Sequence, residues 1–216
     1  MKIALINGSP KFRNSASEIA LNMMKEYLPA EQFEEYVFNK SQIEEEQLIS
    51  VLQNDSLLFA FPLYVDGIPS QLFRCLMQID EYVKTHPIAH SIMVYAVVNN
   101  GFFEGKQNTP ALEEIRNWSK CCGFTFGQGI GIGGGGMLGY LQTIKGENGP
   151  KKSVALLMKE MCENILKKQS APMKFAEPDY PAEEYKKSAE EGWRTQVQKN
   201  GLTIADLDRK LEWREQ

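Results

Sequence analysis

Short apolar runs alternate along the chain with longer segments in which apolar residues recur every three or four positions. The apolar runs lie at residues 2–7, 33–38, 56–61, 91–98 and 124–132. Runs of this length are typical of strands, and a nearly continuous one indicates a strand covered on both faces. The amphipathic segments lie at residues 15–28, 44–53 and 153–168, with further helices beginning near Pro69 and at Thr109-Pro110. We therefore predict that a helix follows each strand.

This alternation, repeated five times, predicts an α/β fold in which a parallel sheet carries helices on both faces. We assign it to one domain over residues 1–170. Residues 171–216 begin with three prolines and then become charged, with apolar residues at four-residue spacing: Tyr185, Ala189, Trp193 and Val197. We predict a C-terminal helical extension there, packed on the domain or on a partner subunit.

Composition narrows the classes of partner. The net charge of the 216 residues is −4, and lysine and arginine are not concentrated in any segment. Nucleic acid and anionic membrane surfaces are therefore not expected as partners. The first apolar run is too short for a signal peptide and no run is long enough to span a bilayer, so we expect a cytoplasmic protein. The four cysteines and two histidines lack metal-ligand spacing, so we predict no metal site.

Three unusual loops follow predicted strands. They cover residues 8–17, 62–68 and 99–108. In open parallel sheets, ligands bind beyond the carboxyl ends of the strands, where the strand order reverses. We therefore expect these three loops to form one binding site.

The first loop precedes a predicted helix and is rich in polar side chains: Ser9, Lys11, Arg13, Asn14, Ser15 and Ser17. A helix N-terminus offers free backbone N–H groups and a favourable dipole to a phosphate group, and hydroxyls and cations add to both. Ser15 and Glu18 also form a capping box, which would explain Ser15 without any ligand. Capping leaves the other polar residues without a role, so we predict a phosphate-binding loop in which Ser15 can serve both purposes.

The loop matches neither of the two common nucleotide motifs. It is not a P-loop, and it lacks the G-x-G-x-x-G pattern of a Rossmann first turn. That pattern occurs instead at Gly129, Gly131 and Gly134, where we predict no helix after it and find no acidic residue at the required interval. We interpret it as a place of close backbone approach.

The second and third loops contain residues that could line the faces and the edge of a bound flat ring. In the second, Leu63 and Tyr64 can cover a ring face while residues 65–67 offer backbone amides, although Tyr64 is equally compatible with a packed core aromatic. In the third, Asn99 and Asn100 offer both donors and acceptors to a heteroaromatic edge. Asn100-Gly101 is also a turn signal. Three such loops at one edge of the sheet favour the ring-binding interpretation.

Together these segments resemble the NAD(P)H-dependent FMN reductase branch of the flavodoxin-like superfamily, over roughly the first 170 residues. The resemblance implies a five-stranded parallel sheet in the order 2-1-3-4-5. It implies that FMN phosphate is held by Ser9, Lys11, Asn14, Ser15, Ala16 and Ser17. It places the ring against Pro62, Leu63, Tyr64, Val65 and Asp66, and the ring edge near Asn99, Asn100, Gly101 and Phe102. It also implies a homodimer or homotetramer that shares the flavin site.

The implied activity is hydride transfer from NAD(P)H, as cosubstrate, through bound FMN to a small-molecule acceptor such as a quinone, a nitro or azo compound, or free flavin. The flavin carries this chemistry, so we name no catalytic residue. Some relatives hold an iron–sulfur cluster on cysteines before the Pro-Leu-Tyr loop, but residues 33–61 contain no cysteine. Two alternatives stay open: a flavodoxin-type electron carrier serving protein partners, and a non-catalytic flavin-binding module. Such carriers are usually strongly acidic near the ring, whereas −4 is a mild charge.

Overall fold

The computed structural model describes residues 1–210 and divides into two compact units, Met1–Asp179 and Tyr180–Gln216. The predicted boundary lies between residues 170 and 171, whereas the first unit extends to Asp179 and so includes nine residues of the predicted extension. Residues 211–216 of that extension lie outside the described residues. Within residues 1–210, no helix combines the length and the apolar character that crossing a bilayer requires.

One sheet organises the first unit. Its strands are β1 (Ile3–Asn7), β2 (Phe33–Val37), β3 (Ser56–Pro62), β4 (Met93–Asn99), β5 (Thr125–Ile132) and β6 (Lys174–Ala176). They lie in the order β2-β1-β3-β4-β5-β6, and every described pairing is parallel. The predicted α/β class and the order of the first five strands are confirmed.

The predicted number of strands was wrong, because the sheet has six. β6 pairs with β5 along three residues only, with Lys174 opposite Ile130 and Ala176 opposite Ile132. A three-residue strand beside prolines shows no periodicity in the sequence. The segment is a strand because it pairs with β5, which supplies its hydrogen bonds.

The helices are α1 (Ala16–Lys25), α2 (Glu45–Leu52), α3 (Ser70–Thr85), α4 (Thr109–Cys121), α5 (Leu138–Leu141), α6 (Lys152–Leu166) and α7 (Ala182–Lys199). Helices α1, α5 and α6 cover one face of the sheet, and α2, α3 and α4 cover the other. β1 shows why both faces need cover: Ile3 and Leu5 enter the first layer, while Ala4 and Ile6 enter the second. Side chains of a strand alternate between faces, so a continuous apolar run is stable only inside such a sandwich.

Candidate functional site

The three predicted loops lie side by side at one edge of the sheet. They follow β1, β3 and β4, which are neighbours in the sheet and run parallel. The register places Asn7 opposite Ala60 and Pro62 opposite Asn99, so the three strands end at nearly the same level. The parallel arrangement therefore brings residues far apart in sequence to a common rim.

Asn99 connects all three loops. Its Oδ1 accepts a hydrogen bond from Ser17 Oγ at 3.0 Å, which ties the start of α1 to the end of β4. Its backbone oxygen accepts a bond from Leu63 N at 2.8 Å, which ties the second loop to the third. Asn99 and Ser17 are both buried, so these bonds form in a region from which water is excluded.

The start of α1 retains hydrogen-bond donors. Ser15 is the N-cap, and its Oγ accepts a bond from Glu18 N at 3.0 Å, as the capping box predicts. Ser9 Oγ likewise accepts a bond from Lys11 N at 3.2 Å. In both bonds the hydroxyl oxygen is the acceptor, so each hydroxyl hydrogen can still be donated. Ala16, the half-buried first residue of α1, also has a first-turn N–H that the helix itself does not use.

The exposed part of the first loop carries positive charge. Lys11 Nζ donates to the backbone oxygen of Asn14 at 3.0 Å, and Asn14 has a φ of 52° that lets the chain turn into α1. The guanidinium of Arg13 lies 5.9 Å from the centre of the Phe12 ring, which is 75% exposed. Two cations beside a helix N-terminus form a surface that favours an anion.

Asn7 is a residue of this site that sequence reasoning missed. Its Oδ1 accepts a bond from Ser9 N at 3.1 Å, and its Nδ2 donates to Ser15 Oγ at 3.5 Å. It thereby holds both ends of the first loop. The signal was a single amide at the end of an apolar strand, since a buried amide there needs partners in the loop that follows.

The second loop is a tight turn with unusual backbone angles. Tyr64 N donates to the oxygen of Gly67 at 3.0 Å, and Gly67 N donates back at 3.1 Å. The two central residues, Val65 and Asp66, have φ values of 47° and 61°, which makes this a type I′ turn built without glycine at its centre. Tyr64 is 51% exposed and is therefore not a buried core aromatic. Pro62 and Leu63 are half-buried beneath the turn.

The third loop contains two buried amide oxygens without a hydrogen-bond partner, Oδ1 of Asn100 and Oδ1 of Asn108. Asn100 is buried, and its Nδ2 donates to the oxygen of Glu104 at 3.1 Å, but its Oδ1 has no hydrogen-bond partner. A buried acceptor without a partner costs about 1–3 kcal/mol, and a ligand group that donates to it would remove that cost. Gly101 and Phe102 follow at the surface, and Phe102 is 57% exposed.

The glycine-rich segment after β5 supports the third loop. Gly134 N donates to the oxygen of Phe102 at 2.6 Å, and Gly135 N donates to that of Asn100 at 2.8 Å. At Gly133 there is no space for a methyl group, because it would meet the oxygen of Phe103 and, at 2.6 Å, Gly105 N. The segment is thus a place of close backbone approach. The prediction that no helix follows it was wrong, because a 3-10 turn and the four-residue α5 begin directly after Gly134.

β6 adds a further support that the sequence did not indicate. Ala176 accepts a bond from Gly133 N at 2.9 Å, and Glu177 Oε1 accepts one from Gly105 N at 2.7 Å. On the other side of the site, Glu114 Oε2 accepts a bond from Ile68 N at 3.0 Å. Two carboxylates from distant elements therefore hold the ends of the third and second loops.

The hydrogen-bonding groups, charges and aromatic surfaces of the three loops fit a ligand that has a phosphate and a flat ring. The first loop supplies amide and hydroxyl donors together with cations, as a phosphate requires. Asn100 supplies a buried acceptor without a partner, and the exposed Tyr64 and Phe102 supply aromatic surface at the same rim. FMN has matching parts, namely a phosphate, an apolar ring and a ring edge that carries an N–H donor.

Comparison with known proteins identifies the fold. No protein-family model and no curated protein matches the chain. The match with an NADPH-quinone reductase from P. pentosaceus covers 75% of this chain and 98% of that protein's chain, with a TM-score of 0.54 and 11% identity. The match with an NAD(P)H:quinone oxidoreductase from Methanothermobacter marburgensis covers 76% of this chain and 96% of that protein's chain, with a TM-score of 0.52 and 15% identity. The match with a short-chain flavodoxin associated with a bacterial microcompartment covers 79% of this chain and 100% of that protein's chain, with a TM-score of 0.53 and 13% identity. The chain therefore has a flavodoxin-like fold.

Proposed function

We propose that the protein binds FMN at the rim formed by the three loops and passes hydride from NAD(P)H through it to a small acceptor. The acceptor would be a quinone, a nitro or azo compound, or free flavin. The observation that carries the proposal is the partnerless Oδ1 of Asn100, buried next to Asn99, which is bonded to the N-terminal turn of α1. An acceptor without a hydrogen-bond partner and several hydrogen-bond donors of the first loop therefore lie on the same rim of the sheet.

The phosphate would be held by the first loop. The amides of Ala16 and Ser17 and the hydroxyls of Ser9 and Ser15 are the donors, and Lys11 brings a positive charge that the loop already fixes through Asn14. Hydrogen bonds to a charged group contribute about 1.5–3 kcal/mol each, so a few of them account for tight binding.

The ring would lie between the second and third loops. Asn100 Oδ1 accepts from the N–H of the ring edge, which removes the cost of its burial. Tyr64 and Phe102 present aromatic surface to the ring or to a flat substrate beside it. The amides of Val65 and Asp66 are not among those used within the turn, so they are available as donors.

When bound, FMN supplies the two-electron chemistry. The side chains of this protein then have three tasks: to fix the phosphate, to orient the ring edge through Asn100, and to keep one ring face accessible between exposed aromatics. None of these tasks requires a side chain that gains or loses a proton. We accordingly assign binding and orienting residues and no catalytic acid or base.

The names of two proteins with the same fold support a reductase, since both are described as quinone reductases using NADPH or NAD(P)H. The flavodoxin of the same fold keeps the electron-carrier alternative open. The two functions share the FMN site and differ in their reaction partners. A homodimer or homotetramer that shares the flavin site, and a cytoplasmic location, complete the proposal.

An absorption experiment tests the proposal directly. The purified protein is mixed with FMN, desalted and scanned, and NADPH is then added without oxygen, followed by a quinone. We expect a flavin spectrum that bleaches with NADPH and returns with the quinone. Bound FMN that NADPH reduces slowly and that small acceptors do not reoxidise would favour the carrier, and FMN that is never reduced would favour the binding module. Absence of bound flavin after mixing contradicts all three.

A matched pair of variants locates the site. Ser9→Ala removes a buried hydroxyl of the first loop and should weaken FMN binding about 10- to 100-fold, the equivalent of one hydrogen bond to a charged group. Ser91→Ala removes an exposed hydroxyl just before β4, at the opposite end of the sheet, and should leave binding unchanged. Equal affinities in the two variants would show that the first loop does not hold the phosphate.

A further inference from the structure

The second unit contains an amphipathic helix whose apolar stripe is not buried. Within residues 180–210 no residue is buried, and α7 spans Ala182–Lys199. At about 100° per residue, its apolar side chains fall within about 120° of the helix surface. They are Ala182, Tyr185, Ala189, Trp193 and Val197. Trp193 lies near the middle of this stripe and is 66% exposed.

Such a stripe indicates a partner surface. Most helical stability in proteins comes from burying one apolar face rather than from the helix alone. Tryptophan is among the side chains that contribute most when they are buried at an interface. An exposed tryptophan at the middle of an otherwise polar helix is therefore typical of an interface.

The charges beside the stripe identify the occupant. Along one flank of α7 the signs alternate in the order Glu183, Lys186, Glu190, Arg194. Within the chain they form two weak pairs, Lys186 with Glu183 at 3.6 Å and Arg194 with Glu190 at 3.7 Å. All four side chains are more than half exposed, so these pairs contribute little to stability.

This row of charges has the signs −, +, −, +. When the row is aligned with a second copy that runs in the opposite direction, every charge lies opposite a charge of the other sign. When two copies of α7 lie antiparallel, Glu183 faces Arg194 of the partner subunit and Lys186 faces Glu190 of the partner subunit. In a parallel two-fold pair this flank faces the opposite flank of the other copy, so only the antiparallel arrangement brings the series against itself. The two-fold axis of the antiparallel pair passes close to Ala189, whose small side chain allows the helices to approach.

We propose that a second copy of this chain packs its α7 antiparallel against the first, with Trp193 of each copy packed against the apolar stripe of the other. The interface is isologous, because each copy contributes the same surface. This inference does not rest on the proposed flavin chemistry, and it predicts a dimer whether or not FMN is bound.

The mass of the full-length chain in solution tests the proposal, by light scattering after gel filtration and by sedimentation for the dissociation constant. We expect a mass of at least about twice the 24.5 kDa of one chain. Trp193→Ala should yield monomers at concentrations where the unmodified chain is dimeric. Far-UV circular dichroism of each variant checks that its helix content is retained.

Charge reversal supplies the sharper test. Glu190→Lys sets two lysines against each other at both symmetric positions and should weaken the dimer at least about 10-fold. Adding Lys186→Glu to Glu190→Lys restores opposite signs and should restore the affinity. The control, Glu191→Lys, makes the same charge change about 100° around the helix, on the polar face, and should leave the dimer intact.

Several outcomes would overturn the proposal. One is a chain that remains monomeric at high micromolar concentration. Others are a dimer that Trp193→Ala does not affect, equal effects of Glu190→Lys and Glu191→Lys, or a double variant that stays as weak as the single one. Dependence of the dimer on FMN would show that the flavin site, and not α7, holds the copies together.

Discussion

Replacing Val65 should stabilise the protein, because this residue occupies a backbone conformation that suits it poorly. Val65 has a φ of 47° at the first central position of the type I′ turn, and the residue is fully exposed. A β-branched residue at positive φ is a true outlier, whereas asparagine tolerates the left-handed region. Val65→Asn therefore relieves strain and removes no buried contact.

The size of the effect follows from the conformational cost. The left-handed region costs a residue other than glycine roughly 1–2 kcal/mol, and asparagine recovers part of this through local hydrogen bonds. We expect Val65→Asn to raise the free energy of unfolding by about 1 kcal/mol, which for a chain of this size corresponds to about 2–4 °C in the melting temperature. Val65→Ala, which removes the branching but keeps a Cβ, should stabilise less.

Urea unfolding of the three proteins, followed by circular dichroism, measures the difference. The slope of the unfolding free energy with urea should stay the same, because the exposed surface hardly changes. If Val65→Asn is neutral or destabilising, the side chain of Val65 makes a contact that its exposure does not reveal, and the strain argument fails.

Three further predictions concern other parts of the first unit. Gly133→Ala should destabilise by more than about 2 kcal/mol, because the added methyl meets the Phe103 oxygen, whereas one at Gly101 has no atom within 4 Å; equal melting temperatures of the two variants would refute this. Burial raises the pKa of Cys75 to about 11 and the pKa of Cys122 and of Cys162 to about 12, whereas Cys121 is exposed. A thiol reagent at pH 8 should therefore modify one thiol per chain rapidly and none in Cys121→Ser, and a second rapid thiol would contradict this. The Lys168 ammonium and then the Lys2 amide lower the pKa of Asp55, so its stabilisation is present at neutral pH and is lost as the pH falls through that lowered value. Asp55→Asn should cost about 1 kcal/mol at pH 7, with the difference shrinking below about pH 4; a cost that does not change with pH in urea titrations would exclude the ionised carboxylate as its source.

Much of the fold was predictable because its signals are local. The buried run of β1 and the capping box at Ser15 are properties of neighbouring residues, and the structure places β1 at Ile3–Asn7 and α1 directly after Ser15. The positions of the three loops could also be predicted, because parallel strands joined by helices must end at one edge of the sheet. The roles of those loop residues in binding FMN stay predictions.

Other parts of the site could not be predicted, because they depend on contacts between distant segments. The bond from Ser17 to Asn99 joins residues 82 positions apart, and it exists only because β1, β3 and β4 lie in that order and register. The partnerless Oδ1 of Asn100 follows from the same burial, which no local pattern encodes.

The chain by itself determined the first five strands, the helices that follow them and the edge of the sheet at which the loops meet. Only the tertiary structure decided that β6 exists, that Gly133 must lack a side chain, and that Val65 adopts a positive φ. The physical reason is the range of the interactions. Periodicity and capping act within one or two turns of chain, whereas strand partners, close backbone approaches and turn strain are set by neighbours that folding brings together.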